Sequence, residues 1–188
     1  MNDTERITVG DTLIPLRRQL CDADGQPIDI SADTITFSMA GTISGTAKVT
    51  AGSCTVKQIG DGILPITGIT AADPPSVTAT SHGIATGDMI YLDGANMLGM
   101  DELKGRHFQI TSTGANTFTL DGENATQHAA YSSGGTAVTR GFVQYAWQTA
   151  DVDTAGSYFG QFKRTVSAQT EHIPIAESFR IDIVAKVV

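Results

Sequence analysis

Histidine is the side chain that most often binds metals or transfers protons near neutral pH. The chain has four, His82, His107, His128 and His172. None of them stands two or four positions from another metal-ligating residue type, the spacing that would indicate a metal site. No metal site is therefore predicted, and His82, which precedes Gly83, is expected to be a hydrogen-bonding residue of a turn.

Thiols are the second reactive group, and the chain has two, Cys21 and Cys54. Neither has a histidine nearby in the sequence, so a zinc site is not indicated. Residues 1–6 are polar and acidic, without the basic start and apolar stretch of a signal peptide. Folding in a cytoplasm is the default expectation, and both thiols are then expected to be reduced rather than joined in a disulfide.

Three polar segments look like fragments of binding loops. Residues 22–25 begin like a calcium loop, but the glycine at the sixth and the glutamate at the twelfth position are missing, so a plain turn is predicted. Residues 132–135 are rich in glycine but precede no predicted helix and no lysine, which favours a hairpin turn over a phosphate site. The acidic pair at 101–102 is interpreted as exposed charge, with the rim of a contact surface as the alternative.

The sequence also lacks the patterns of common catalytic sites. No G-x-S-x-G motif occurs, and no serine stands near a histidine and an acid in a recognisable frame. The sequence also places no pair of carboxylates of the kind that glycoside hydrolysis needs. We therefore predict no catalytic residue, no cofactor and no metal, and a protein that is not an enzyme.

The charge of the chain restricts its partners. Its 188 residues include 12 basic and 20 acidic side chains, which gives a formal net charge of −8 and a pI near 4.7. Phosphate backbones repel such a chain, so we expect no nucleic-acid partner. No apolar run approaches the roughly 20 residues of a membrane helix, so we expect no membrane partner.

Apolar and polar residues alternate along most of the chain, which is typical of half-buried β-strands. Arg18 is an exception, because it falls on the apolar face of the first predicted strand, and residues 47–56 are predicted to form one weaker strand. Trp147 is interpreted as a core residue rather than a ligand platform. The side chains predicted to face the core are Ile14, Leu16, Leu20, Ile35, Phe37, Met39, Val143, Tyr145, Trp147, Tyr158, Phe162, Phe179, Ile181 and Ile183.

The strand pattern predicts an all-β protein with two parts. Residues 1–67 and 140–188 together give about seven short strands, which favours a discontinuous immunoglobulin-like β-sandwich. The approach from Asp153 to Tyr158 indicates a tyrosine corner, in which the phenol hydroxyl bonds to upstream backbone. Residues 68–139 give about five or six shorter strands, which favours an inserted small β-barrel.

Four runs within the inserted segment share a recurrent pattern, in which Thr-x-His-Gly and Gly-Asp precede Leu-Lys-Gly-Arg and Asn-Thr-Phe. They are residues 77–84, 87–88, 103–108 and 116–122. This pattern resembles a module related to the first catalytic cysteine half-domain of ubiquitin-activating enzymes, copies of which are common in bacteriophage tail and fibre proteins. No cysteine occurs in residues 68–139, so the resemblance does not imply ubiquitin-type activation.

Five runs outside the insert carry a second resemblance through their order and spacing. They are residues 10–12, 22–30, 35–39, 143–148 and 153–158. Together they resemble the N-terminal domain of phage baseplate upper proteins and related small virion proteins. In that family the third strand runs directly into the Val-x-Tyr-x-Trp strand, whereas here the inserted segment separates the two.

The two resemblances imply a bacteriophage virion structural protein, most directly a tail- or baseplate-associated component that mediates protein–protein assembly. A capsid decoration or cement protein, bound in many copies to the head, is the alternative. A third hypothesis is a host glycan-binding adhesin module that uses exposed aromatic residues such as Tyr91 or Tyr131. The implied partners are other virion proteins in a symmetric multi-copy assembly, and the implied location is the virion, after folding in the host cytoplasm.

Overall fold

Alternating apolar residues form β-strands throughout the part of the chain that this computed structural model describes, residues 4–173 and 179–186. The alternation of Phe179, Ile181 and Ile183 predicts a last strand that runs to the C-terminus. In the structure this strand ends at Val184, and residues 187–188 lie outside the described residues. The strands are β1 Thr4–Thr8, β2 Leu16–Gln19, β3 Thr34–Gly41, β4 Ala47–Ser53, β5 Thr55–Val56, β6 Ile63–Pro65, β7 Gly68–Ile69, β8 Ser76–Thr78, β9 Met89–Asp93, β10 Arg106–Gly114, β11 Thr117–Leu120, β12 Thr136–Val138, β13 Phe142–Tyr145, β14 Gly156–Val166, β15 Gln169–Ile173 and β16 Phe179–Val184.

The chain divides into two compact units. The outer unit comprises the chain up to Val56 and from Val143 onwards, and the inner unit is Lys57–Phe142. The inner unit thus extends beyond the predicted insert, 68–139, at both ends. The reason is that β6, which precedes residue 68, pairs with β12 inside the inner unit.

Two sheets build the outer unit. One has the strand order β1-β16-β14-β3-β4, with β15 also beside β14, and the other has the order β2-β13-β5. Strand β1 lies parallel to β16, while β14 is antiparallel to both β16 and β3. The predicted all-β sandwich is confirmed.

The core of the outer unit lies between these sheets. Phe37 is fully buried at its centre, with its ring 4.8 Å from that of Tyr145, 5.8 Å from that of Trp147 and 5.3 Å from that of Phe162. The core position predicted for Trp147 is confirmed, because only 4% of the residue is exposed. Of the side chains predicted to face the core, all but Ile14 and the half-buried Phe179 are buried.

The start of the first predicted strand was placed too early. Ile14 is 69% exposed, because pairing begins only at Leu16, after Pro15, which has no N–H to donate to a ladder. Arg18 does lie on the apolar face. Its guanidinium is 4.9 Å from the centre of the Phe179 ring and 3.0 Å from a carboxylate oxygen of Glu5, which compensates for its partial burial.

The single strand predicted over residues 47–56 is wrong, because the chain changes sheets there. Strand β4 pairs with β3, whereas β5 pairs with β13 in the opposite sheet. Before the change, β4 contains a bulge in which Ala51 adopts a positive φ of 51° and donates its N–H to Ser38 Oγ at 3.1 Å.

The inner unit is one seven-stranded sheet around its own apolar core. Its strand order is β6-β12-β9-β10-β11-β8-β7. All residues of this unit are described, and no ladder joins β6 to β7, so the predicted barrel is not a closed one. These two edge strands are instead consecutive pieces of one short chain segment. The fully buried side chains of this core include Val77, Ile90, Leu92, Met100, Leu103, Ile110, Phe118 and Leu120.

Candidate interaction surface

His82 has the structural role predicted for it. The residue is 1% exposed, and its Nδ1 accepts the backbone N–H of Ile84 at 3.1 Å. Its Nε2 therefore carries the proton and donates it to the carbonyl oxygens of Gly114, at 2.9 Å, and Thr117, at 3.2 Å. Both ring nitrogens are thus occupied in holding a turn against the β10–β11 hairpin.

The other three histidines have separate surroundings. His107 lies against the ring of Tyr91 at 5.1 Å, and His172 Nδ1 is 3.0 Å from the side-chain oxygen of Gln161. His128 lies 3.8–3.9 Å from the carboxylates of Glu102 and Glu123. Within residues 4–173 and 179–186, no three His, Cys, Asp or Glu side chains are grouped so that they could hold a metal ion.

Both cysteines are free thiols that lie half-buried. Burial raises the pKa of Cys54 to about 12, and burial together with the charge of Asp22 raises the pKa of Cys21. Because the thiolate is the nucleophilic form, neither thiol is activated near neutral pH.

Of the two loop segments that resembled binding motifs, residues 22–25 form the predicted turn. The Asp22 carboxylate accepts the backbone N–H groups of Asp24, at 3.0 Å, and Gln26, at 2.8 Å.

The hairpin turn predicted over residues 132–135 is wrong, because Ser133 forms an isolated antiparallel bridge with Leu98 in an extended segment. Gly134 and Gly135 have positive φ, and a side chain at Gly134 would place its Cβ 1.9 Å from the carbonyl oxygen of Asn96. These glycines are needed for close backbone approach rather than for a phosphate.

The aromatic residues considered for glycan binding are not exposed platforms. Tyr91 and Tyr131 are both half-buried. The Tyr131 hydroxyl lies 2.9 Å from the carbonyl oxygen of Ile66 and 3.0 Å from that of Gly134, so it is already engaged inside the inner unit. The expectation that these two rings are exposed is therefore wrong.

Three loops come together at one end of the outer unit, and we call them the end-loop surface. They are residues 9–15, 42–46 and 146–155. The ladders place them at the same end, because Thr8 faces Val184, Ile183 faces Gly156, and Tyr158 faces Gly41.

The end-loop surface carries the most exposed large apolar side chains of the described residues. Ile43 is 100% exposed, Leu13 is 90% exposed and Ile14 is 69% exposed. Isolated apolar residues on a surface are ordinary, whereas several at one end of a small unit make that end the candidate contact surface of this chain.

Backbone hydrogen bonds anchor these loops, one between two of the loops and one from a loop to strand β14. The N–H of Gly10 donates to the carbonyl oxygen of Val152 at 2.9 Å, and the N–H of Thr42 donates to that of Ser157 at 3.0 Å. Lys48 adds an ion pair with Asp153. The backbone of these loops is therefore held in place before binding, which lowers the entropy cost of binding.

Two tyrosine hydroxyl groups hold the loop 146–155 in place through hydrogen bonds. Tyr158 Oη donates to the carbonyl oxygen of Thr154 at 2.9 Å, which confirms the predicted tyrosine corner. Tyr145 Oη donates to Asp151 Oδ2 at 2.7 Å, and burial together with this bond raises the pKa of Tyr145. The same carboxylate oxygen accepts the N–H of Gln148 at 2.8 Å, so the buried charge of Asp151 has two donors.

The end-loop surface is also poor in charge. Its three loops contain no Lys or Arg, and their acidic residues are Asp11, Asp151 and Asp153. Asp151 is buried, and the pKa of Asp153 is lowered by hydrogen bonds from Lys48 and Thr154. Exposed aliphatic residues with few charges are the composition found at the centres of protein interfaces.

Sequence reasoning did not identify this surface. Leu13 and Ile14 look like the start of a strand, and Ile43 lies outside every predicted strand. The sequence did contain one signal. Leu13 and Ile14 stand between the turn-forming residues Gly10 and Pro15, and Ile43 is followed by Ser44 and Gly45.

Comparisons with known proteins add no relative: no family model matches the chain, and no curated protein matches it. Among the described residues, no helix has the length and apolar character needed to cross a membrane.

Proposed function

We propose that this chain is a structural component of a bacteriophage virion, associated with the tail or baseplate, and that it acts by protein–protein assembly. The observation that supports this most directly is the end-loop surface, where Leu13, Ile14 and Ile43 project into solvent from fixed loops. The resemblance of the outer residues to baseplate upper proteins and of residues 77–122 to a phage tail module gives this surface its proposed setting.

The architecture suits such a role in physical terms. Loops that are fixed before binding lose little entropy when a neighbouring subunit covers them. A virion also presents the same contact many times, so that avidity adds to a modest affinity at each site. Tail or baseplate association therefore needs no extended groove on this chain.

The test is the number of copies of this chain per purified virion, measured by quantitative mass spectrometry against the major capsid protein. A handful to a few dozen copies is the result we expect for a tail or baseplate component. Hundreds of copies would instead make the chain a capsid decoration protein, and its absence from purified particles would overturn the virion proposal altogether.

A further inference from the structure

We infer that the outer face of the larger sheet in the outer unit binds an acidic surface of a different protein. We call it the basic sheet face, and its defining side chains are Arg6 on β1, Phe159 and Lys163 on β14, and Arg180 on β16. This face is distinct from the end-loop surface, and the inference does not rest on the proposed virion role.

The strand register places these four side chains on one side of the sheet. Successive residues of a strand point to opposite sides, whereas directly paired residues share a side. Phe159 is paired with Arg180, and each of the four residues stands next to a buried core residue. The buried neighbours are Ile7, Tyr158, Phe162 and Ile181.

Charge is divided unequally between the two sides of this sheet. Its described strands contain three carboxylates, Glu5, Glu171 and Asp182. Glu5 and Glu171 lie on the core side, where they form ion pairs with Arg18 and Arg164 respectively. The basic sheet face has only Asp182 against its three basic side chains. A chain with a formal net charge of −8 therefore has one face with an excess of positive charge.

Asp182 does not neutralise the whole face. Arg180 Nε donates to one of its carboxylate oxygens at 2.9 Å and the Ser157 hydroxyl donates to the same oxygen at 2.6 Å. The bonds from Ser157 and Arg180 lower the pKa of Asp182, so its charge is committed to its immediate neighbours. Within residues 4–173 and 179–186, Lys163 forms no ion pair, and its charge is available to a partner.

Phe159 gives the face an apolar contact. It is 46% exposed, whereas every other aromatic residue in the described part of the chain is buried or half-buried. Its partners across the sheet are Ala40 and Arg180. Alanine is too short to cover the ring, and the Arg180 guanidinium is bonded instead to Asp182 and Ser157. Aromatic and arginine side chains supply many of the residues that dominate binding energy in protein interfaces.

An acidic protein surface fits this face better than a long polyanion or a second copy does. At physiological salt a charge acts over roughly 8 Å, so a compact acidic patch meets only the local positive charge. A nucleic acid would extend over the rest of the chain, which is acidic and repels phosphates. A closed two-fold contact between copies would place the basic sheet face against itself.

The test is an NMR titration of the isotope-labelled full chain with a peptide that places a leucine between two runs of glutamate. We expect shifts in the amide signals of the face, those of Arg6, Phe159, Lys163 and Arg180, and weaker binding as the salt concentration rises. Lys163→Glu and Phe159→Ala should each weaken binding about fivefold, which corresponds to roughly 1 kcal/mol.

Matched variants separate this face from net charge and from exposed apolar area. Lys186→Glu makes the same charge change at an exposed residue beyond the end of β16, and Leu98→Ala shortens an exposed apolar side chain in the inner unit. Both variants should bind the peptide as tightly as the wild type does. Urea unfolding checks that every variant folds.

Several outcomes would overturn the inference. They are a lack of shifts at excess peptide, shifts confined to other parts of the chain, and equal affinity for a peptide with glutamine in place of glutamate. Tighter binding of oligothymidylate at the same residues would assign the face to nucleic acid. Self-association that Lys163→Glu abolishes would assign it to a second copy. None of these results bears on the number of copies per virion, which tests the virion proposal separately.

Discussion

Val56 and Val143 face each other as an antiparallel pair between β5 and β13, although the whole inner unit, Lys57–Phe142, stands between them in the sequence. The chain therefore leaves the outer unit and re-enters it at neighbouring positions. A long insertion costs little closure entropy at such a point, because its ends are already held together by a ladder.

The first prediction replaces residues 58–141 with the dipeptide Asn-Gly and keeps Lys57 and Phe142, because the N–H of Lys57 donates to the carbonyl oxygen of Phe142 at 2.8 Å. Because a two-residue type I′ turn closes a directly opposed antiparallel pair, the shortened chain should keep a β-sheet circular dichroism spectrum and unfold cooperatively in urea. The control removes only residues 68–139 and joins Thr67 directly to Arg140. It should be less stable, since β6 then loses its partner β12. A non-cooperative Asn-Gly chain would contradict the independence of the outer unit.

The second prediction compares two buried hydroxyl groups. Tyr145→Phe should cost about 1.5–3 kcal/mol of unfolding free energy, because it removes a hydrogen bond to the buried carboxylate of Asp151. Tyr158→Phe should cost only about 1 kcal/mol, because its acceptor is the uncharged carbonyl oxygen of Thr154. Urea denaturation of both variants measures the difference, and the reverse order of the two losses would show that Asp151 does not depend on Tyr145.

The third prediction concerns stability at alkaline pH. Burial raises the pKa of Cys54 in the folded chain from its ordinary value of 9.0 to about 12. The folded state therefore holds this proton while the unfolded state releases it, so the contribution of Cys54 to stability is complete below pH 9 and falls as the pH rises from 9 to 12. The urea midpoint should decline less steeply above pH 9 in Cys54→Ala than in the wild type. Parallel declines would mean that Cys54 titrates normally in the folded state.

The fourth prediction concerns the hairpin between β14 and β15. Its two turn residues, Ser167 and Ala168, have φ values of 45° and 68°, which residues other than glycine and asparagine adopt at a cost. The double variant Ser167→Asn with Ala168→Gly should raise the unfolding free energy by about 1 kcal/mol. The same change at Ser31 and Ala32, whose φ angles are not positive, should give no gain. Equal effects at the two sites in thermal unfolding would contradict this explanation.

Local patterns were sufficient where a strand contributes several residues to the core. Strand β3 was predicted from the alternation of Ile35, Phe37 and Met39, all of which are buried.

Two strands that each bury a single residue were not predicted. Strand β1 buries only Ile7 and β15 buries only Ile173, so neither shows the repeated alternation on which the prediction depends. The position of β1 is set by pairing with β16, which is distant in the sequence. The position of β15 is set by pairing with β14, to which it is joined by a turn without glycine.

The candidate surface could not be predicted for a related reason. Leu13 and Ile14 have the composition of strand residues, and whether they are buried depends on where β2 begins to pair. Exposure is a property of the assembled sandwich, whereas a sequence pattern reports only the residue type. The turn role of His82 was predictable because a neighbouring glycine marked it locally.

The bulge at Ala51 has a consequence for growth of the sheet. Strand β4 is the last strand of the larger sheet of the outer unit, and its outer edge would otherwise offer a row of free backbone groups to a strand of another molecule. The kink at Ala51 breaks that row, so that an incoming strand cannot continue the hydrogen-bonding pattern along the full length of β4. Molecules packed at high local concentration are thereby hindered from joining edge to edge into fibres.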